Sequence, residues 1–217
     1  MIITIDGPAG TGKSTIARRV ANALGFLYVD TGAMYRVVTY GLLKDDVDVD
    51  DANAIAKVIK YYNIDIKIVG DDKRYYLNDE DITREIRSEK VTALVSSVSA
   101  FKSVREYLVG LQRHLSQDVD AVFEGRDMGT VVFPNAELKI YLTARPLVRA
   151  ERRLKDLKNN NITLEQVLDS INKRDAYDSS REISPLLQAP DAHCIDTSDM
   201  TIEEVTEEIL KLIPAKK

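Results

Sequence analysis

The sequence predicts an α/β protein: a P-loop fold with a five-stranded parallel sheet flanked by helices, an inserted subdomain containing an antiparallel hairpin, and a short lid. Three observations predict it. Short apolar runs alternate along the chain with segments of helical period, as in buried parallel strands joined by crossover helices. Two of these runs, ahead of Asp30 and at Glu124, end in charge, on the side where open α/β sheets bind ligands. Between them Ile64-Asp65-Ile66-Lys67-Ile68-Val69 alternates, Gly70-Asp71-Asp72-Lys73 is a turn, and Arg74-Tyr75-Tyr76-Leu77 resumes β-type residues, a hairpin inside a strand-helix-strand pattern. The expected division is a core of residues 1–30 and 101–217, with a lid at about 145–165, and an insert of residues 31–100.

The first run, Ile2-Ile3-Thr4-Ile5-Asp6, breaks into Gly7-Pro8-Ala9-Gly10-Thr11-Gly12-Lys13-Ser14-Thr15 and then an amphipathic stripe, Ile16-Val20-Ala21-Leu24. A buried strand that passes through glycines into a helix leaves a row of backbone N–H groups around a concavity, and the helix dipole favours an anion there. The spacing G-x-x-x-x-G-K-S is a Walker A motif in the context it requires. Lys13 is expected at the β and γ phosphates of a nucleoside triphosphate, and Ser14 at a Mg²⁺ ion. A Gly-rich turn matched by accident would not explain Lys and Ser in those two places.

Gly25 suits a helix C-cap, and Phe26-Leu27-Tyr28-Val29 reads as a second buried strand. Asp30 or Thr31 could simply cap the next helix, which carries Arg36. From Tyr40 to Tyr62 the period is helical apart from an acidic interruption, Asp45 to Asp51, read as a solvated loop and helix start. Helices follow through Val91, Val95 and Val98 and through Val104, Leu108 and Leu111; on them Ser96, Arg105 and Arg113 would, on residue type alone, be surface residues. Ala121-Val122-Phe123-Glu124 is the next strand, and Glu124 stands where P-loop proteins place the acid that holds Mg²⁺ or its water. Arg126 and Asp127 lie just beyond it.

Leu138 to Thr143 is a fourth strand after a turn at Pro134-Asn135. Arg145, Arg149, Arg152 and Arg153 then share a helix, with Lys155 and Lys158 after them. Such a stripe is either a solvated face or a set of cations over a transferring phosphoryl group. Asn172-Lys173-Arg174-Asp175 matches the N-K-x-D string of GTPases, but it follows a helical stripe (Leu164, Val167, Leu168, Ile171) and no D-x-x-G accompanies it, so the match is read as accidental. Arg174, Asp178 and Arg181 fall on one helical face. His193 to Thr197 is the fifth strand, Thr201 and Glu204 form a capping box, and the terminal lysines read as a frayed tail.

The 217 residues are enough for one domain with an insert, and 44% hydrophobic with 30% charged residues is a globular composition. No apolar run approaches the roughly 20 residues of a membrane span. With Met1 leading straight into a strand and a single cysteine, Cys194, the expectation is a cytoplasmic protein without disulfides. A net charge of −5 argues against nucleic acid as a partner, and a monomer is expected. Cys194 and the two histidines are poor candidates for nucleophile or base.

A triphosphate loop needs a second substrate, and Arg36 and Arg126 are each suited to bidentate bonds with a phosphate, which is the layout of a nucleoside monophosphate kinase. The segments Asp30-Thr31-Gly32-Ala33-Met34-Tyr35-Arg36, Glu85-Ile86-Arg87, Val104-Arg105-Glu106, Glu124-Gly125-Arg126-Asp127-Met128-Gly129-Thr130-Val131-Val132-Phe133-Pro134 and Lys173-Arg174-Asp175 resemble the signature segments of bacterial-type cytidylate kinases, and the resemblance runs from Met1 to about Val205. It implies transfer of the γ-phosphate of ATP to CMP or dCMP, with Mg²⁺ bridging the β and γ oxygens. It also implies that Arg36 and Arg126 hold the CMP phosphate, that Thr31, Arg105, Asp127 and Arg181 surround the cytosine, and that Ser96, Arg174 and Asp178 surround the ribose. Two positions depart from the family pattern: Thr31 stands where Ser is expected and Glu124 where many members have Asp, each keeping its functional group. The alternatives are an adenylate- or uridylate-specific kinase and a slowly hydrolysing P-loop switch; the missing D-x-x-G counts against the switch.

Overall fold

The computed structural model describes residues 1–69, 72–157 and 162–214. In chain order the elements are β1 (Ile2–Asp6), α1 (Lys13–Leu24), β2 (Leu27–Asp30), α2 (Thr31–Lys44), α3 (Ala52–Val58), β3 (Ile64–Val69), β4 (Asp72–Leu77), β5 (Glu80–Asp81), α4 (Glu89–Val98), α5 (Lys102–Leu115), β6 (Ala121–Glu124), β7 (Leu138–Thr143), α6 (Pro146–Asp156), α7 (Leu164–Ser179), β8 (His193–Asp196) and α8 (Ile202–Lys211). Single 3₁₀ turns cover Ile59–Tyr61 and Glu85–Arg87, and a π-helical turn covers Met128–Val132. The expected turn residues Gly70 and Asp71, Lys158 within the expected lid, and the terminal lysines Lys216 and Lys217 lie outside the described residues.

Two compact units divide the chain: Met1–Asp30 with Leu115–Lys217, and Thr31–His114. The first is built on a five-stranded parallel sheet in the order β2-β6-β1-β7-β8. Its central strand, β1, has neighbours on both edges, so Ile3 and Ile5 are wholly buried, in keeping with an apolar run rather than an alternating one. The Ile16, Val20 and Ala21 stripe of α1 packs with Ile3, Ile5, Val122, Ile140 and Leu142, and α8 adds Val205 and Ile209. Burying each such large side chain is worth about 1.5–3 kcal/mol. Because all five strands are parallel, Asp6, Asp30, Glu124, Thr143 and Asp196 close the same edge of the sheet, and the register sets Asp30 beside Glu124.

The second unit holds α2 to α4, most of α5 and a three-stranded antiparallel sheet, β3-β4-β5. The hairpin legible in the alternation pairs Ile64 with Leu77 and Ile66 with Tyr75. Strand β5 was not expected: two residues carry no period, and their pairing follows from Asn78 and Asp79, whose positive φ (48° and 67°) reverses the chain tightly. Asp51 caps α3, its carboxylate accepting from the Asn53 and Ala54 N–H groups, which accounts for the end of the acidic stretch.

Candidate active site

The chain leaves β1 at Asp6 and turns through two positions that admit no side chain. Gly7 has φ +144° and a Cβ there would lie 2.1 Å from the Leu142 carbonyl oxygen; Gly10 has φ +78° and a Cβ 2.8 Å from that of Arg149. Helix α1 then starts with no side-chain cap and no acidic residue in its first turn. Its first N–H groups and its dipole are therefore directed at whatever occupies the loop, and an anion suits them. Lys13 is buried and folds back along the loop, its Nζ donating to the Pro8 carbonyl at 2.6 Å and lying 3.4 Å from Thr11 Oγ1. Burial, and after it Arg126, pushes the Lys13 ammonium well below its usual range, Arg174 adding to this against the pull of Glu124 and Asp175. A phosphate would supply the negative charge this ammonium lacks.

Ser14 Oγ donates to Glu124 Oε2 at 2.9 Å, and the Tyr28 hydroxyl donates to Glu124 Oε1. Burial raises the Glu124 carboxyl above its ordinary value, and Asp30, its neighbour in register, raises it further. A hydroxyl and a carboxylate held together at the foot of the loop are the hard oxygen donors that Mg²⁺ takes, so the residues present fit that ion.

Beyond β6, where the Gly125 N–H bonds the Ile5 carbonyl at 3.1 Å, three guanidinium groups gather on one buried carboxylate. Arg126 Nε is 3.1 Å from Asp178 Oδ2, Arg174 Nε is 3.9 Å from the same oxygen, and Arg181 pairs with Oδ1. Arg174 and Asp178 share the last turns of α7, and Arg181 follows its end, over the Tyr177 ring at 5.5 Å. Guanidinium groups gathered in this way are donors suited to a phosphate. The structure thus brings together Arg126, Arg174, Asp178 and Arg181 in the unit that carries Lys13.

Asp127, also buried, opens the π-helical turn, its carbonyl accepting from Val131 and Val132. The turn is held from below by Asp6, whose carboxylate accepts from the Met128 and Gly129 N–H groups at 2.9 and 2.8 Å. Sequence reasoning missed this role; a carboxylate closing a buried strand was the only available signal. Burial pushes the Asp6 carboxyl up to about 6, the two N–H bonds opposing it and Asp127 reinforcing it. A carboxyl with a raised folded-state value stabilises the fold most below its unfolded value of 3.8, and that contribution is lost as pH rises to about 6. On urea denaturation, the stability of wild type relative to Asp6→Asn is therefore expected to fall by up to about 3 kcal/mol between pH 4 and pH 7. A difference that stays flat across that range would show that Asp6 titrates like an exposed aspartate.

The basic face of α6 is neither solvated nor unengaged throughout. Arg149 is buried, and Arg152 donates through Nη1 to Thr197 Oγ1 at 2.9 Å and through Nη2 to the Thr197 carbonyl at 2.6 Å. Arg145 forms an exposed pair with Asp199, of a kind that contributes little, and Arg153 is half-buried. The N-K-x-D string lies within α7, as the helical stripe before it implied, with Lys173 paired to Asp169 on the surface.

The remaining expected site residues belong to the second unit. Thr31 is buried as the first residue of α2, and Arg36 on the same helix donates to Thr92 Oγ1 at 2.9 Å and to the Ile86 carbonyl at 3.2 Å. Arg105 is 3% exposed, bonds the Ser99 carbonyl at 2.9 Å and lies over the Tyr35 ring at 5.3 Å, so the surface placement suggested by residue type alone does not hold. Ser96 is half-buried on α4.

The sequence model of the cytidylate kinase family matches residues 3–215. The cytidylate kinase of Protochlamydia amoebophila is 52% identical over 217 residues, covering 97% of this chain and 95% of that one. That of Fusobacterium nucleatum is 45% identical over 219 residues, covering 100% and 99%. Among solved structures, an uncharacterized protein from Eubacterium ventriosum matches with a TM-score of 0.55 at 13% identity, and a shikimate kinase from Bacteroides thetaiotaomicron with 0.50 at 10%, each over 98% of this chain and 97% of the other. At those identities the likeness is one of fold. No helix among the described residues is long and apolar enough to cross a membrane.

Proposed function

Since this chain belongs to the cytidylate kinase family and transfers the γ-phosphoryl group of ATP to CMP or dCMP, we propose a division of labour for its site. The loop from Gly7 to Thr15 holds ATP, with Lys13 on the β and γ phosphates. Ser14 and Glu124 hold Mg²⁺, Glu124 directly or through water; when bound, the ion neutralises charge on the β and γ oxygens. Arg126 holds the acceptor phosphate, Asp127 and Arg181 the cytosine, and Arg174 and Asp178 the ribose. From the second unit Arg36 is assigned to the acceptor phosphate, Thr31 and Arg105 to the cytosine and Ser96 to the ribose. Arg152 and Arg153 are assigned to the transferring phosphoryl group.

One observation supports this division above the others: the Gly125 N–H bonds the Ile5 carbonyl at 3.1 Å, so the strands that lead into the phosphate loop and into Arg126 end side by side. The acceptor is already an anion and needs no strong base. In-line transfer then rests on positioning and charge neutralisation, which agrees with a site of Lys, Arg and backbone N–H groups without His or Cys. Specificity for the base rests on Asp127. Cytosine offers an N4 amino donor, which a carboxylate accepts, whereas uracil presents a carbonyl there and would face the carboxylate unpaired.

The test is a screen of the four monophosphates with ATP and Mg²⁺. CMP and dCMP are expected to exceed UMP in kcat/KM by several powers of ten, and Asp127→Asn, whose amide can also donate, is expected to reduce that ratio roughly 100-fold. Equal kcat/KM for CMP and UMP in the wild type would remove the role given to Asp127. The proposal extends to a cytoplasmic monomer that binds no nucleic acid, supported by a net charge of −5, which disfavours polyanions; size-exclusion chromatography tests the monomer.

A further inference from the structure

We propose that the ion pair between Arg149 and Asp175 is a positioning device for the phosphate loop, holding it in the shape that receives ATP before ATP arrives. This rests on the assignment of the loop to ATP. The pair grips both polar groups of one loop residue: Asp175 Oδ1 accepts the Ala9 N–H at 3.0 Å, and Arg149 Nη1 donates to the Ala9 carbonyl at 2.9 Å. The other carboxylate oxygen, Oδ2, closes the ring by pairing with that same Arg149 nitrogen. Arg149 is itself fixed, Nε donating to the Ala144 carbonyl at 3.1 Å, and the next loop residue, Gly10, is seated on the Arg149 backbone.

The side chains of Arg149 and Asp175 are 7% and 15% exposed, so water screens the pair little. They come from different helices, α6 and α7, which pack together through Ala150, Val167 and Ile171. A backbone segment rich in glycine has many conformations, and fixing its apex in advance spares the reorganisation that binding would otherwise require. Ala9, which the pair holds, follows Pro8, whose carbonyl accepts from Lys13 Nζ at 2.6 Å, so the device acts beside the loop's own cation. Asp175 is the aspartate of the N-K-x-D string, which has no guanine to read here.

The experiment measures ADP affinity by calorimetry in the absence of acceptor, and KM for ATP and for CMP, in the full chain and its variants. Asp175→Asn keeps an acceptor for the Ala9 N–H but loses the charge pairing; it is expected to weaken ADP and raise KM for ATP by roughly tenfold or more, with KM for CMP within twofold of wild type. Asp175→Glu is expected to recover part of the loss. ADP affinity within twofold of wild type would overturn the proposal, as would an equal loss for ADP and CMP, which is what loosening of the fold alone produces. Should Asp175→Asn fail to fold, Arg149→Lys, which keeps the charge but cannot serve the Ala9 carbonyl, Asp175 and the Ala144 carbonyl together, carries the same two outcomes. A wild type that binds ADP yet phosphorylates no monophosphate would sink the kinase assignments while leaving the affinity test standing.

Discussion

Lys13→Ala is expected to lower kcat by roughly three orders of magnitude while leaving the protein folded, with Tm equal to or above that of wild type. The two halves of this expectation have one cause. Lys13 is buried, and burial together with Arg126 disfavours its charged form, so in the free protein the ammonium is a desolvated cation whose hydrogen bonds go to the neutral oxygens of Pro8 and Thr11 and which the Glu124 and Asp175 carboxylates offset only in part. Removing it costs the fold little and relieves a charge burden. As the bond to the γ-phosphorus breaks, however, the bridging oxygen leaves with ADP and gains negative charge, and a fixed cation at that point is worth far more in a water-poor site than in solution. Lys13→Arg should not restore turnover, because a planar guanidinium does not fit where a compact ammonium reaches along the loop. Steady-state kcat with circular dichroism and Tm on the same samples decides the matter, and an unchanged kcat would refute the assignment of the loop.

Arg126→Ala is expected to reduce kcat/KM for CMP by about 10³, through both a higher acceptor KM and a lower kcat, with KM for ATP unchanged. The fold should tolerate the change. Asp178 keeps Arg181 on one oxygen and Arg174 on the other, so no buried carboxylate is left unpaired. What is lost is a planar donor aimed at a dianion, and Arg126→Lys should recover only a small part of it. An effect confined to ATP would place Arg126 on the donor side and redraw the proposed division of the site.

What could be read from the chain alone was whatever is contiguous. The phosphate loop, Glu124 at a strand end, and the alternation of residues 64–69 all carry their meaning within a few neighbouring residues, and each was legible. Asp6 was not, because its partners Met128 and Gly129 stand 122 and 123 residues away. The same holds for Arg149 and Asp175: a helical stripe of arginines has one spacing whether it faces water, nucleotide or backbone carbonyls. For Arg149 the placement of Ala9 decides between them. The turn at Met128–Val132 was hidden by composition, since Thr130, Val131 and Val132 are β-branched and favour strands. For Arg105 the residue pattern suggested a surface residue, and only family resemblance marked it for a site; its burial against Tyr35 comes from α2, which no local pattern on α5 encodes.

The bond from the Gly125 N–H to the Ile5 carbonyl joins the strands from which the glycine loop and Arg126 both emerge. Adjacent parallel strands are held about 4.8 Å apart by the most regular lattice a polypeptide makes. The gauge between the root of the glycine loop and the root of Arg126 is therefore set by that lattice. Warming that slackens the surrounding helices should disturb this spacing last.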